Sequence, residues 1–297
     1  MINKIHTFGT SFTAGGGFEF GSKERNHFLT EIYKDVDLPK NQYSFSWPGQ
    51  LQHFLTDNKL NIEVINHAKQ GYGNEMLYRK VFDVVSDKNF QRNKELLLLE
   101  FSHMMRKEFF FRPLNDYIVC NYHFEDKNGE LILNGPDMAH SYYYDSEETT
   151  KLLDENAETF HQFFKLTMEE NDILKKINQN ITLMLSFLDK NKIKYLTTSS
   201  PLIEPTLFRF LDYGEEHKIY YQKEDFITEF LEKIVIDGKM QIKSETNGEY
   251  DDFHAGYQGN REIAKMVYNN LISKGFISTK ELVTDFNFKQ FNSSRLV

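Results

Sequence analysis

Short apolar segments alternate along this chain with longer segments in which apolar residues recur at helical spacing. The strand-like segments are residues 4–8, 62–66, 95–101, 193–198 and 218–221. The helix-like segments are residues 49–58, 74–85, 172–188, 224–235 and 257–274. Strands that alternate with helices in this way are typical of a parallel sheet covered by helices on both faces. The pattern therefore predicts an α/β fold, a three-layer sandwich around a central, mostly parallel five-stranded sheet.

Individual residues support this interpretation of the pattern. The segment 95–101 contains an unbroken apolar run from Leu96 to Leu99, which is typical of a central strand buried on both faces. Pro48 stands where the helix-like segment 49–58 begins, and proline at a first helical position removes no donor that the helix needs. Pro201 follows the segment 193–198 and is expected to stop that strand.

Between about residues 104 and 164 the alternation lapses into an aromatic stretch, which we interpret as an insertion over the edge of the sheet. It contains Phe109-Phe110-Phe111 and Tyr142-Tyr143-Tyr144. Asn128-Gly129 is a hairpin turn signal and predicts two antiparallel strands here. The insertion could be a lid, a sugar-stacking surface, an oligomer contact or a packing layer that shields the core. We expect one domain over residues 1–275 that contains this insertion, followed by a polar C-terminal tail over residues 276–297.

Charge and composition narrow the choice of partners and compartment. The 35 Lys and Arg residues against 44 Asp and Glu give a net charge of −9, which disfavours nucleic acid and anionic membranes as partners. No segment approaches the roughly 18 apolar residues of a membrane span, and the N-terminus lacks the apolar region of a secretory signal. Cys120 is the single cysteine, which excludes an internal disulfide and fits a reducing compartment. We therefore expect a cytoplasmic protein by default, and export by an unconventional route or assembly into a virus particle would leave the same pattern.

Two short motifs near the ends of the chain carry candidate chemistry. Gly9-Thr10-Ser11 directly follows the first predicted strand, and Asp251 stands three residues before His254. A serine at the end of a strand can supply a nucleophile, a histidine can accept its proton, and a nearby carboxylate can orient the histidine. These residue types predict a serine hydrolase.

Three segments, in the same order along the chain, resemble blocks of the SGNH, or GDSL-like, hydrolase family. Gly9-Thr10-Ser11-Phe12 stands where that family has Gly-Asp-Ser, with Thr10 in place of the aspartate. The segment from Asn66 to Gly71 has the family's spacing of asparagine, alanine and glycine. The motif from Asp251 to His254 is followed by Gly259, as the resemblance leads one to expect.

The resemblance implies a flavodoxin-like SGNH hydrolase fold for this domain and a role for each matching residue. Ser11 would be the nucleophile, His254 the base, and Asp251 the carboxylate that orients His254. The backbone N–H groups of Gly71 and Ser11 would form the oxyanion hole. Asp252 fits the motif less well than Asp251, and we expect it to face solvent.

The third block of the family, an asparagine after the central strand, is altered in this chain. Its place is taken by Glu100-Phe101-Ser102-His103-Met104-Met105-Arg106. Ser102 stands nearest the expected place and is a candidate third donor to the oxyanion. Arg106 is a candidate for binding an anionic part of the substrate. The competing interpretations are a strand-end cap for Ser102 and a surface salt bridge for Arg106.

Other motifs favour neither a metal nor a cofactor. Gly15-Gly16-Gly17 is not followed by the Gly-Lys-Ser/Thr of a phosphate-binding loop. The histidines are scattered without the tight spacing of a zinc site. Cys120 is expected to be a small buried hydrophobic residue, not a nucleophile. We therefore expect no cofactor and no metal ion.

The expected activity is hydrolysis of an acetyl or other short acyl ester, of a small molecule or a glycan, through an acyl-enzyme on Ser11. An acyltransferase would use the same residues, with a sugar hydroxyl in place of water. A glycan-binding or structural module that has kept the fold but lost efficient chemistry is a second alternative, which the altered third block suggests.

Overall fold

The computed structural model describes residues 2–14, 46–69, 72–102, 106–112, 115–127, 130–137, 147–167, 170–199 and 257–278. The strands are β1 (Lys4–Phe8), β2 (Glu63–Asn66), β3 (Glu95–Phe101), β4 (Arg106–Phe111), β5 (Asp116–Lys127), β6 (Glu130–Asp137) and β7 (Lys194–Ser199). The helices are α1 (Ser11–Ala14), α2 (Trp47–Asp57), α3 (Asn74–Ser86), α4 (Glu147–Thr167), α5 (Glu170–Lys190) and α6 (Tyr257–Ser273).

The main sheet consists of four parallel strands in the order β2-β1-β3-β7. Four of the five predicted strands and four of the five predicted helices are confirmed, with bounds that differ by at most two residues. The fifth strand candidate, 218–221, and the helix candidate 224–235 lie outside the described residues. The described part of the chain thus has a parallel α/β sheet of four strands.

Helices lie on both faces of this sheet because side chains alternate between the faces along each strand. Leu96 and Leu98 of β3 belong to a core cluster with side chains of α2 and α6, including the fully buried Trp47 and Tyr268. On the other side, α3 contacts β1 and β3, while α5 contacts β7 and α3. Every residue of β3 is buried, as expected for a central strand covered on both faces.

A second sheet of three antiparallel strands, in the order β4-β5-β6, follows β3 along the chain. Strands β5 and β6 confirm the predicted antiparallel pair, although Asn128 and Gly129 themselves lie outside the described residues. Strand β4 was not predicted, because the run Phe109-Phe110-Phe111 has no alternation of polar and apolar residues. Helix α4, which contacts β6, was also not predicted. Tyr142-Tyr143-Tyr144 lies outside the described residues.

The chain after α6 continues into the core before the described residues end. Ile277 is 3% exposed and lies in the same cluster as Trp47 and Tyr268, with Phe276 packed against it. Residues 279–297 of the expected tail lie outside the described residues. Across the described helices, none combines the length and apolarity that a membrane crossing requires.

Candidate functional site

Ser11 and Ser102 leave the main sheet at the same edge. Phe8 of β1 is paired with Leu99 of the neighbouring parallel strand β3, and each serine stands three positions after one of these partners. Ser11 is the first residue of α1, and Ser102 directly follows β3. The carboxyl ends of the strands are where α/β sheets bind their ligands. The backbone therefore brings two of the predicted site residues to the carboxyl end of the sheet, beside each other on neighbouring strands.

A buried carboxyl group lies beneath the turn that carries Ser11. Glu100 is 2% exposed, and its Oε1 accepts a hydrogen bond from Thr10 Oγ at 2.7 Å. Thr13 Oγ donates to Oε2 of the same carboxyl group. Thr10 precedes Ser11 and Thr13 follows it in α1. Both sides of the Ser11 turn are therefore hydrogen-bonded to the side chain of Glu100 in β3.

The indole of Trp47 completes this cluster and sets the direction of its hydrogen bonds. Trp47 Nε1 lies 3.1 Å from Thr13 Oγ, and an indole N–H can only donate. Thr13 Oγ thus accepts from Trp47, and its own proton points to Glu100. Burial raises the pKa of Glu100, while hydrogen bonds from Thr13 and Thr10 and the positive charge of Arg106 act in the opposite direction.

Position 9 must be a glycine because Thr13 and Glu100 pack directly against its backbone. A Cβ at position 9 would lie 2.6 Å from Thr13 Oγ, 2.8 Å from Glu100 Cβ and 2.9 Å from Glu100 Oε2. These separations are well below ordinary contact distances, so any side chain here would displace the turn or the carboxyl group. The glycine of the first sequence block thus makes room for Glu100.

Asn66 connects the end of β2 to the same turn. Its Nδ2 donates to the backbone oxygen of Thr13 at 2.8 Å. Its Oδ1 accepts from Thr7 Oγ at 3.1 Å and from the backbone N–H of Ala68 at 3.0 Å. The asparagine of the second sequence block is therefore a structural link between β2, β1 and α1.

The backbone of Ser102 is held by the side chain of Asn74, the first residue of α3. Asn74 Oδ1 accepts from the Ser102 N–H at 2.7 Å, and Asn74 Nδ2 donates to the Ser102 carbonyl at 3.0 Å. Ser102 is 1% exposed, and its Oγ has no hydrogen-bond partner among the residues that the structure describes. Buried hydroxyl groups in folded proteins are nearly always paired. Among the described residues, the hydroxyl group of Ser102 thus takes no part in the pairing with Asn74.

Arg106 opens β4 close to these residues. Its Nη1 donates to the carbonyl oxygen of Tyr72 at 3.2 Å, and its side chain is half-buried. Gly73 lies against it, because a Cβ on Gly73 would be 3.2 Å from both Arg106 Cβ and the Arg106 carbonyl oxygen. The role of Arg106 in substrate binding stays a prediction.

The remaining predicted site residues, Gly71, Asp251 and His254, lie outside the described residues, as does Asp252. The described chain resumes at α6, three positions after His254. Asn260 Oδ1 in this helix accepts from the backbone N–H of Trp47 at 2.8 Å. Through Trp47, the first turns of α6 are connected to the cluster beneath Ser11.

Sequence analysis missed Glu100, Thr13, Asn74 and Trp47 as parts of this edge. One signal was available, because Glu100 is a carboxyl residue at the end of an apolar strand predicted to be buried on both faces. Acidic residues are almost never fully buried without partners, so this position called for a specific set of donors. Nothing in the local sequence identified those donors as Thr10 and Thr13.

A second buried polar cluster lies at the opposite end of β3. His6 Nε2 lies 2.7 Å from Glu95 Oε2, and His6 Nδ1 lies 2.9 Å from His67 Nε2. Burial lowers the pKa of His6, and burial followed by the charge of His6 lowers the pKa of His67 to about 4. The ring of His67 also stacks on Phe8, with centroids 4.8 Å apart. Within the described chain, no group of three or more His, Cys, Asp or Glu side chains is arranged to hold a metal ion.

Comparisons with known proteins give similarity of structure only. No protein-family model matches the chain, and no curated protein matches it. The psychrotrophic esterase EstA from Pseudoalteromonas sp. is similar at 11% identity with a TM-score of 0.43, over 91% of this chain and 97% of that one. A candidate lipolytic protein of the G-D-S-L family from Desulfitobacterium hafniense DCB-2 is similar at 13% identity with a TM-score of 0.38, over 91% of this chain and 99% of that one. Assignment of the site therefore depends on the contacts of this chain's own residues.

Proposed function

We propose that the protein is a serine ester hydrolase with Ser11 as its nucleophile. Ser11 Oγ attacks the ester carbonyl while His254 takes its proton, and Asp251 orients His254 and stabilises the imidazolium ion. His254 then returns the proton to the leaving alcohol as the ester C–O bond breaks. Water, deprotonated by His254, attacks the resulting acyl-enzyme and releases the acid and free Ser11.

The observation that carries this proposal is the buried hydroxyl group of Ser102, which has no hydrogen-bond partner in the described part of the chain and lies at the same end of the sheet as Ser11. A negative oxygen that develops on the substrate needs donors that are already in place. Asn74 occupies the backbone N–H and carbonyl of Ser102, so its hydroxyl group is the donor left for a ligand. We propose Ser102 Oγ as the third oxyanion donor, beside the N–H groups of Ser11 and Gly71.

For the substrate we propose an acetyl or other short acyl ester, with acetylated glycans as the first class to examine. Arg106 is proposed to attract an anionic part of that substrate through the permanent positive charge of its half-buried guanidinium group. These two assignments extend the hydrolase proposal and are separate from it.

The test is covalent labelling with a fluorophosphonate probe, detected by intact mass. A fluorophosphonate reacts with an activated serine, and so it reports the nucleophile before a substrate is known. We expect a single label on the wild-type protein and none on Ser11→Ala or His254→Ala. Ser273→Ala, which changes an exposed serine at the end of α6, is the matched control and should label like the wild type.

Labelling that persists in Ser11→Ala would contradict Ser11 as the nucleophile. A well-folded wild-type protein that takes no label would contradict the hydrolase proposal and favour a module that binds glycans without turning them over. Hydrolysis of p-nitrophenyl acetate should follow the same order of variants, because that ester needs the same attack and the same proton transfer.

A further inference from the structure

The two threonines that flank Ser11 both donate to one carboxyl group, although no local sequence motif requires it. Thr10 Oγ donates a hydrogen bond to Glu100 Oε1 at 2.7 Å, and Thr13 Oγ donates one to Oε2. All three side chains are at least nine-tenths buried, with 2% exposure for Thr10, 0% for Thr13 and 2% for Glu100. The hydrogen bonds of this carboxyl group are therefore made to protein side chains and not to solvent.

These contacts restrict the Ser11 turn on both of its sides. Thr10 lies directly before Ser11, and Thr13 lies within the same short helix. The position of Thr13 is further determined by the indole N–H of Trp47 at 3.1 Å and by Asn66 Nδ2, which bonds the Thr13 carbonyl at 2.8 Å. Glu100 is the element common to both sides, because each oxygen of its carboxyl group accepts from one threonine.

An apolar side chain would fill this space at lower cost if packing were its only purpose. Burying a carboxyl group is costly unless its oxygens are hydrogen-bonded. Here the donors that compensate this cost are the two hydroxyl groups around Ser11, together with the Trp47 N–H that orients one of them. Glu100 can therefore stay buried at low cost only while the Ser11 turn keeps the Thr10 and Thr13 hydroxyl groups in place.

We propose that Glu100 is a positioning residue for Ser11, acting through Thr10 and Thr13, an inference that rests on the proposed function. Glu100 touches neither substrate nor Ser11 in this role. It holds the turn so that the Ser11 hydroxyl group and backbone N–H keep the orientation needed for attack. Loss of about 1 Å of positional accuracy at a reacting group can cost roughly a hundredfold in rate.

The experiment compares Glu100→Gln with Glu95→Gln. Both residues belong to β3 and both are buried, but Glu95 contacts His6 and no residue of the Ser11 turn. We expect Glu100→Gln to lower the fluorophosphonate labelling rate by roughly ten- to a hundredfold and Glu95→Gln to leave it near the wild-type value. With p-nitrophenyl acetate, the loss should appear in kcat and not in KM, because the substrate contacts are unchanged. Each variant is measured well below its own melting temperature.

Thr10 supplies a second, more conservative pair of variants. Thr10→Val keeps the shape of the side chain but removes the donor, and it should lower the labelling rate in the same direction as Glu100→Gln. Thr10→Ser keeps the hydroxyl group and should retain most of the rate. The combination Thr10→Val with Glu100→Gln should lose less than the product of the two single effects, because both variants disrupt the same contact.

Hydrogen exchange of the backbone amides gives a readout independent of activity. Glu100→Gln should accelerate exchange in a peptide covering residues 9–14, and Glu95→Gln should not. Equal labelling rates in wild type and Glu100→Gln would overturn the proposal. A wild type that takes no label would contradict the hydrolase proposal itself, and exchange would then decide the remaining question. Unchanged exchange over residues 9–14 would show that Glu100 does not hold the turn, whereas faster exchange would support its positioning role.

Discussion

The two ends of β3 each contain a buried glutamate, but their surroundings differ. At the first residue of the strand, Glu95 contacts His6, an ionisable side chain that continues to His67. At the sixth residue, Glu100 is bonded to neutral hydroxyl groups of Thr10 and Thr13. Because side chains alternate along a strand, these two carboxyl groups also point to opposite faces of the sheet.

The difference distinguishes a buried carboxyl group that stabilises the sheet from one that contacts the chain around the candidate nucleophile. Glu95 is paired with His6 at the amino end of β3, and this cluster continues through His67, which follows β2. Within the described residues, the hydrogen-bond donors to Glu100 come from Thr10 and Thr13, which flank Ser11. Costly polar burial that is matched to one turn is expected at functional positions more than elsewhere.

The largest loss of stability and of labelling rate is expected from Gly9→Ala, which disturbs only the cluster around Glu100 at the carboxyl end of β3. The new Cβ would overlap Thr13 Oγ and two atoms of Glu100. Overpacking of this kind costs about 1–3 kcal/mol, and we expect the fluorophosphonate labelling rate to fall with it. Urea denaturation and labelling on the same sample would measure both.

Gly73→Ala is the control, because the contacts of its Cβ with Arg106 are longer, at 3.2 Å. It should lose less stability than Gly9→Ala and keep the labelling rate. If both variants were equally stable and equally reactive, the turn would be free to move away from Glu100, and the tight contact inferred for this end would be wrong.

The two buried clusters should also respond to pH with opposite sign. Burial lowers the pKa of His67 from 6.5 to about 4, so the folded protein binds that proton less readily than the unfolded chain. Its contribution to stability is complete above pH 6.5 and is lost as pH falls toward 4. Burial raises the pKa of Glu100 above 4.5. The folded state therefore gains stability from the Glu100 proton below pH 4.5 and loses it as pH rises through the folded pKa.

The free energy of unfolding in urea, measured as a function of pH, separates these contributions. His67→Phe, which keeps a ring against Phe8, should flatten the loss of stability on the acidic side. Glu100→Gln should instead remove the decline that accompanies rising pH. Identical pH profiles for the wild type and both variants would mean that the stability of neither cluster depends on a proton in the way described.

The smallest effect is expected at the surface of the amino end. Lys4 Nζ lies 3.6 Å from Glu63 Oε2, and the two side chains are 34% and 62% exposed. Exposed ion pairs contribute about 0–1 kcal/mol, so Lys4→Gln should barely shift the melting temperature and should leave labelling unchanged. A large loss of either would indicate that the buried cluster around His6 depends on this surface charge.

Much of the sheet could be predicted because its signals are local. The apolar run from Leu96 to Leu99 identified β3, and the position of Pro48 indicated the start of α2. Strand β4 was missed because its aromatic run has no alternation of polar and apolar residues. Helix α4 was missed although Leu153, Ala157, Phe160 and Phe164 recur in it at helical spacing, because the whole stretch was interpreted as a hairpin-like insertion. The antiparallel pairing of β5 with β6 could be predicted because a hairpin signal depends on adjacent residues.

The candidate site was only partly predictable for the same reason. Ser11 and Ser102 could be assigned to strand ends from the sequence, and the structure brings those ends to one edge. Asn74 could not be recognised as the partner of Ser102, because it lies 28 positions away in the sequence. Its side-chain amide makes the two hydrogen bonds with the Ser102 backbone that a neighbouring strand would otherwise make. A lone asparagine at the start of a helix suggests a cap, not a contact with another strand.

The sequence by itself determined the alternation of the four parallel strands with α2, α3, α5 and α6 along the chain, and the placement of Ser11 after the first strand. These properties depend on residue types within a few positions of one another, where apolar periodicity and turn chemistry act. Only the tertiary structure decided which side chain lies beneath Ser11. Thr10 and Glu100 are 90 positions apart, and their contact depends on the pairing of β1 with β3, on the faces to which their side chains point, and on the absence of a side chain at Gly9.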